Sequence, residues 1–209
     1  PRFDGSMQLW GNKYENSQKL KPYSPIKNNI KDFFDAGFRY NNSVSFNGAT
    51  DKSEYYVSFS QISDDGMVPT DADSYDKYTF SARGSHKVKA LTFSSSLNYS
   101  YQKNKFATTG QGLTMLNSLY QTPRDVSIIS LQDQNDIFNS PGYFYTPYGV
   151  MNPYYILENY LNEYDAERFY GKFQVDYDFL KYFKFTYRMG LDTTTGQSNR
   201  GEPNLYALF

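Results

Sequence analysis

The stretch LTFSSSLNYSY, residues 91–101, alternates between two kinds of side chain. Apart from Ser95, the odd positions are large and apolar or aromatic, and the even positions are all small and polar. The two sets are Leu91, Phe93, Leu97, Tyr99 and Tyr101 against Thr92, Ser94, Ser96, Asn98 and Ser100. Because successive side chains of a β-strand point to opposite faces of its sheet, this period of two predicts a strand with two chemically different faces.

The same pattern recurs in five further segments, residues 38–48, 54–61, 77–86, 168–179 and 183–192. No Asp, Glu, Lys or Arg falls on the apolar face of any of these segments, and every charge lies on the other face. The pattern predicts an all-β, antiparallel protein. A soluble sandwich would bury the apolar face, whereas a membrane barrel would turn it to lipid, so the alternation alone leaves both open.

The connections between the predicted strands favour the barrel. Short turns follow the first, third and fifth segments, whereas residues 62–76 and 102–167 are long connections. Short turns that alternate with long loops are typical of outer-membrane barrels. In this interpretation the lipid-facing residues are Phe46, Phe59, Phe80, Phe93, Leu97, Tyr99, Phe173 and Phe185. The lumen-facing residues are Arg39, Arg83, Arg168, Lys172 and Arg188, unless they pair with Glu54, Asp176 or Asp192 or contact a plug.

Composition excludes several kinds of chemistry. The chain has no cysteine and a single histidine (His86), so it can form neither a disulfide nor a zinc–thiolate site. Its net charge of −1 argues against a strongly basic nucleic-acid interface. The acidic loop DDGMVPTDADSYD, residues 64–76, lacks the spacing of a calcium-binding EF-hand loop. No run of about eighteen apolar residues predicts a membrane-spanning helix. We therefore expect no enzyme activity, no catalytic residue, no metal, no cofactor and no nucleic-acid partner.

The connection of residues 102–167 is too long to be only an unstructured link between two strands. Within residues 112–123, Leu113, Leu116 and Tyr120 have helical spacing before a proline, which predicts a short helix. A later aromatic cluster could contact a substrate or a lid protein, pack the loop onto itself, or belong to an interfacial belt. Packing or a place in the belt is favoured for most single residues of this cluster, whose members are Tyr143, Phe144, Tyr145, Tyr148, Tyr154 and Tyr155.

An ordered series of motifs runs through nearly the whole chain: PRFDG (1–5), YSPIKNNIKDFFDAGF (23–38), NSVSFNGAT (42–50), DDGMVP (64–69), NPYYILEN (152–159) and DAERFYGKFQVDYDFLKYFKFTYRMGLD (165–192). Together they resemble the barrel portion of the SusC/RagA family of TonB-dependent outer-membrane transporters. The resemblance implies about six strands of a barrel of about 22. It also implies a multi-pass protein in the outer membrane of a Gram-negative bacterium.

The resemblance further implies a plug domain inside the barrel, a SusD-like lipoprotein as lid, and TonB-driven import of oligosaccharides or peptides. Neither the plug nor a TonB-contacting segment lies in this sequence, so we expect a piece of a longer polypeptide. The predicted division is an outer loop that leads into the first strand (1–37), four strands (38–101), a long extracellular loop (102–167), two strands (168–192) and the start of another loop (193–209).

Two alternatives to the transporter remain open. A soluble carbohydrate-binding β-sandwich would use the aromatic loop as a sugar platform and would have an apolar core between two sheets. A surface structural protein or adhesin would carry tandem repeats, and none is visible.

Overall fold

The computed structural model describes residues 23–136, 139, 151–180 and 182–203. Each of the six alternating segments forms one strand, and the strands pair in chain order as a single antiparallel sheet. The strands are β1 Arg39–Ala49, β2 Ser53–Asp64, β3 Ser74–Val88, β4 Leu91–Lys105, β5 Leu161–Phe179 and β6 Phe183–Gly201. The prediction of an all-β, antiparallel architecture is confirmed.

The pairing register aligns the apolar residues of all six strands on one face. Val44, Phe59, Phe80, Tyr99 and Phe169 lie directly opposite one another from strand to strand. The next row towards the short turns contains Phe46, Val57, Ala82, Leu97, Gly171 and Leu191. A slip of one residue at any pair would turn a whole strand over, so the alternation in the sequence is what fixes this register. We name this side the apolar face.

The opposite side, the polar face, carries all five cations that the sequence assigned to it: Arg39, Arg83, Arg168, Lys172 and Arg188. Along the middle of β4, the small polar residues Ser94, Ser96 and Asn98 are half-buried, whereas Phe93, Leu97 and Tyr99 are exposed. The neighbours of these small residues on β3 and β5 include Arg83, Lys172 and Tyr170, and these larger side chains account for their partial burial.

The strands run further than their alternating segments. β4 continues to Lys105, β5 begins at Leu161, and β6 continues to Gly201. The long connection therefore spans residues 106–160 rather than 102–167, and residues 193–201, predicted as loop, are strand. In the added rungs both faces are polar, as in the row of Asp76, Lys103, Asp165 and Gln197. The backbone hydrogen bonds of the sheet continue there, although the sequence shows no alternation of apolar and polar residues in these rungs.

The short turns all lie at one end of the sheet. They span residues 50–52, 89–90 and 180–182. Lys89 and Leu180 have φ values of 53° and 55°, which is the left-handed conformation that tight hairpins require. The connections at residues 65–73 and 106–160 lie at the opposite end, so the predicted alternation of short and long connections is present.

The predicted short helix within residues 112–123 is α1, Met115–Gln121, and a second helix, α2, spans Pro153–Asn159. Thr114 caps α1 by accepting a hydrogen bond from the backbone N–H of Asn117. The buried face of α1 is Met115 and Leu119, whereas Tyr120 of the predicted face is exposed. Within the described ranges, 3₁₀ turns lie at Lys31–Phe33, Pro69–Asp71 and Ile129–Gln132.

No helix in the described ranges is both long enough and apolar enough to cross a membrane.

Apart from Ala166 on β5, the buried hydrophobic residues of the described ranges lie in the connections rather than on the sheet. Segments 26–34, 106–136 and 151–160 pack together, and we name them the loop module. Its main cluster is Phe33, Met115, Leu119, Val126, Ile128, Leu131, Tyr154 and Leu157. The long connection is therefore a folded unit with its own small core.

Candidate functional site

The middle of the polar face is a shelf of small hydroxyl and amide side chains. In β4 it contains Ser94, Ser96 and Asn98, and in β3 it contains Ser81, whose hydroxyl donates to Asn98 Oδ1 at 2.8 Å. Larger side chains rise on both sides of the shelf. Tyr56 and Arg83 stand on the β2–β3 side, and Tyr170 and Lys172 on β5. We name this region the hydroxyl shelf.

Some cations of the polar face are fully engaged with neighbours. Arg168 donates two hydrogen bonds to Asp192, at 3.0 and 2.7 Å, so the predicted ion pair with Asp192 is present. Arg188 donates from Nε to Gln174 Oε1 at 2.9 Å, and Gln174 donates in turn to Asp176 at 2.8 Å. The contacts among Arg188, Gln174 and Asp176 form a connected network beside the shelf on β5 and β6.

Asp176 is the acid at the centre of that network. Besides the bond from Gln174, it accepts a hydrogen bond of 2.6 Å from the hydroxyl of Thr186. It is buried, and both of its oxygens are occupied. The expected direct pairing of an arginine with Asp176 is replaced by a bridge through Gln174.

Other cations are weakly engaged or unpaired. Arg39 lies 3.8 Å from Asp64, with the arginine side chain exposed and that of Asp64 half-buried. Arg83 stands over the ring of Tyr56, 4.5 Å from its centroid, and does not form the expected pair with Glu54. Within the described ranges, neither Arg83 nor Lys172 forms an ion pair.

Two asparagines hold the loop module together. Asn29 donates to the carbonyl of Val126 at 2.6 Å and accepts from the N–H of Ile128 at 3.0 Å. This contact fastens the segment before β1 to the long connection, about a hundred residues away in the chain.

Asn152, the second of them, is fully buried. Its amide donates to the carbonyls of Leu131 and Asn139, at 2.7 and 2.8 Å, and its Oδ1 accepts from the N–H of Tyr154 at 3.0 Å. It is the N-cap of α2 and precedes Pro153 at the first helical position. The Asn-Pro pair before an apolar run is the sequence signal that could have predicted this helix start.

Tyr154 and Tyr155 are packing residues in this structure. Tyr154 is 3% exposed and its ring centroid lies 5.0 Å from that of Phe33, while Tyr155 packs with Met151 and Ile156. Burial, helped by the charge of Asp35, raises the pKa of Tyr154, and burial also raises the pKa of Tyr155. The burial of these two rings agrees with packing, one of the two alternatives that the sequence favours for most single residues of the cluster. Tyr143, Phe144, Tyr145 and Tyr148 lie outside the described residues.

The acidic loop after β2 is held in shape by hydrogen bonds from its own backbone N–H groups to its carboxylates. Asp73 accepts hydrogen bonds from the N–H groups of Met67 and Val68, and Asp64 accepts one from Gly66. In the part of the chain that the structure describes, no group of three or more His, Cys, Asp or Glu side chains could hold a metal ion. These carboxylates shape a turn.

A cavity of about 340 Å³ lies at the rim between this loop, the end of α2 and the ends of β4 and β5. Its charged lining includes Asp71, Lys105, Glu158 and Glu163. Lys105 lies 3.9 Å from Glu163, and Glu158 accepts a hydrogen bond from Gln134 at 2.6 Å. Three of these four side chains are therefore paired or hydrogen-bonded.

Comparison with models of known protein families gives no match, and comparison with curated proteins gives none either.

Proposed function

We propose that this chain is a segment of an outer-membrane, TonB-dependent transporter of the SusC/RagA type. It would import oligosaccharides or peptides together with a SusD-like lipoprotein lid. The observation that carries the proposal is the sheet itself. One antiparallel sheet exposes a continuous apolar face on one side and carries a polar face on the other.

The exposed apolar face needs to be covered by something other than water. Phe46 is 66% exposed and Phe59 45% exposed, and the face continues across every strand. Contiguous apolar surfaces larger than a few hundred Å² mark contacts with another protein or with lipid. Lipid is the partner that suits a face with no charged residue within its alternating segments.

The height of the apolar band matches a membrane. On β5 the band extends from Phe169 to Phe179. Ten residue steps span about 33 Å along a strand, or about 25 Å across a bilayer at a tilt of about 40°. This is about the height of the apolar band on outer-membrane barrels.

Aromatic residues border the band at both limits, as they do at membrane–water interfaces. Tyr78 and Tyr101 lie side by side at the limit near the loop module. Tyr177, Phe179 and Phe183 stack at the other limit, with ring centroids 5.6 and 5.7 Å apart. In the proposal, the loop module is extracellular and the short turns are periplasmic.

The sheet leaves β1 and β6 at its two edges. Because a membrane barrel needs about eight strands or more, the proposal pairs these edges with further strands of the same protein. The sandwich alternative needs a second sheet across the apolar face, and the six described strands all belong to one sheet.

Fractionation of the full-length protein tests the proposal. We expect the protein in the outer-membrane fraction, resistant to carbonate extraction, with a folded band that shifts on an SDS gel only after boiling. Recovery from the soluble periplasm, with no such shift, would exclude the transporter. A periplasmic soluble protein of the same expression level serves as the fractionation control.

A further inference from the structure

We propose that Arg83 and Lys172, on either side of Ser96, form an anion-binding site on the hydroxyl shelf. The site would take a carboxylate of an acidic oligosaccharide. This inference rests on the proposed function, because it assigns the polar face to the substrate path.

The pairing register fixes the geometry of the site. Arg83 lies directly opposite Ser96 on the neighbouring strand, and Ser96 lies directly opposite Lys172. The two cations are therefore two strand spacings apart, roughly 10 Å between backbones. Gly190 follows Lys172 in the same row. With no side chain at Gly190 and only a hydroxymethyl group at Ser96, the space on both sides of the Lys172 ammonium stays open.

The charges around the site leave these two cations available. Asp192 lies diagonally from Lys172, but both of its oxygens accept hydrogen bonds from Arg168. Asp176 is likewise occupied, by Thr186 and Gln174. Glu54 lies diagonally from Arg83 and forms no ion pair with it within the described residues. Within the described residues, none of these three acids therefore forms an ion pair with Arg83 or Lys172.

Tyr56 holds the guanidinium group of Arg83 in a position that suits a planar anion. The guanidinium group lies over the tyrosine ring at 4.5 Å, which restrains the side chain through a cation–π contact. A stacked guanidinium keeps its N–H edge free, and this edge matches the two oxygens of a carboxylate. Lys172 supplies a second, more flexible positive charge from the opposite side.

The surrounding shelf favours a sugar over a peptide as the carrier of that carboxylate. Ser81, Ser94, Ser96 and Asn98 offer hydroxyl and amide groups, which can both donate and accept hydrogen bonds. Sugar hydroxyls need both kinds of partner at short intervals. The side chains of an acidic peptide carry carboxylates but no hydroxyl groups, so they would use the shelf less fully.

Binding of three probes to the full-length purified protein tests the site by calorimetry. The probes are trigalacturonate, the same trisaccharide with its carboxylates reduced to alcohols, and tetraglutamate. We expect trigalacturonate to bind at least about tenfold more tightly than the reduced probe, since hydrogen bonds to charged groups are the stronger ones. The double variant Arg83→Gln/Lys172→Gln should lose that preference.

A matched control removes two charges from the same face outside the site. Arg39→Gln/Lys77→Gln lies several rungs nearer the loop module and should keep the preference within about threefold, because screening limits its reach. Arg83→Lys/Lys172→Arg retains both charges and should restore most of the binding. This conservative variant also separates loss of the site from loss of folding.

Four results would overturn the inference: equal binding of the charged and reduced trisaccharides, loss of the preference in the control variant, its retention in Arg83→Gln/Lys172→Gln, or tighter binding of tetraglutamate that depends on the same two cations. Membrane fractionation is independent of all four. A protein that resides in the outer membrane yet ignores the carboxylates refutes the anion site alone, whereas a soluble protein refutes the transporter.

Discussion

Arginine in place of Val57 should prevent most of the full-length protein from reaching its folded, membrane-inserted state. Val57 lies on the apolar face, in the row of Phe46, Ala82 and Leu97. A charge placed there enters hydrocarbon near the middle of the apolar band. On a barrel surface this costs about 2–4 kcal/mol at the midplane, and less towards the interfaces.

The neighbouring variant Ser58→Arg is the matched control, because it adds the same side chain at nearly the same depth. Ser58 lies on the polar face between Ser45 and Ser81, where small neighbours leave room and the surroundings are polar. We expect its folding free energy to change by less than about 1 kcal/mol. The measurement is the folded fraction in lipid vesicles across a urea series, read from the heat-dependent gel shift. Equal losses in the two variants, or a greater loss for Ser58→Arg, would contradict the assignment of the faces.

Ile128→Ala should unfold the loop module while the sheet stays inserted. Ile128 is fully buried in the main cluster of the module. Substitution of a buried isoleucine by alanine lowers the free energy of unfolding by about 2–5 kcal/mol. We expect this loss to exceed the stability of a core as small as that of the loop module. We expect rapid cleavage of the long connection when intact cells are treated with a protease, and faster amide hydrogen exchange in α1 and α2.

The adjacent residue provides the control for this second substitution. Ile129 is 49% exposed, so Ile129→Ala makes the same chemical change next to Ile128 and should alter stability by about 1 kcal/mol at most. If Ile128→Ala also abolishes insertion, the module and the sheet fold as one unit. If neither variant increases cleavage, the cluster around Ile128 does not hold the module.

The sequence was sufficient to predict the strands wherever one face is apolar. In the stretch from Leu91 to Tyr101 a single exception, Ser95, did not hide the period. The extensions of β4 to Lys105 and of β6 to Gly201 could not be predicted, because polar residues on both faces leave no alternation. Backbone hydrogen bonding continues a strand beyond the point where side chains indicate it.

The candidate site was only partly predictable. The sequence placed Arg83, Lys172 and Arg168 on one face, but it did not reveal that Asp192 would bind Arg168 rather than Lys172. That depends on diagonal neighbours across strands, which follow only from the register. The loop module shows the same limit, since the contact between Asn29 and Ile128 joins residues 99 positions apart. Such long-range partners leave no local pattern.

A spin-label scan from Phe93 to Tyr101 tests most directly whether the apolar face meets lipid. Each residue is replaced in turn by a labelled cysteine, in full-length protein from which any other cysteine has been removed, and the protein is placed in lipid vesicles. Oxygen concentrates in hydrocarbon, and a water-soluble nickel chelate stays outside it. The odd positions, Leu97 and Tyr99 above all, should collide often with oxygen and rarely with the chelate, and the even positions should show less contact with oxygen. Absence of this period of two, or its reversal, in well-inserted protein would contradict a lipid-facing apolar face.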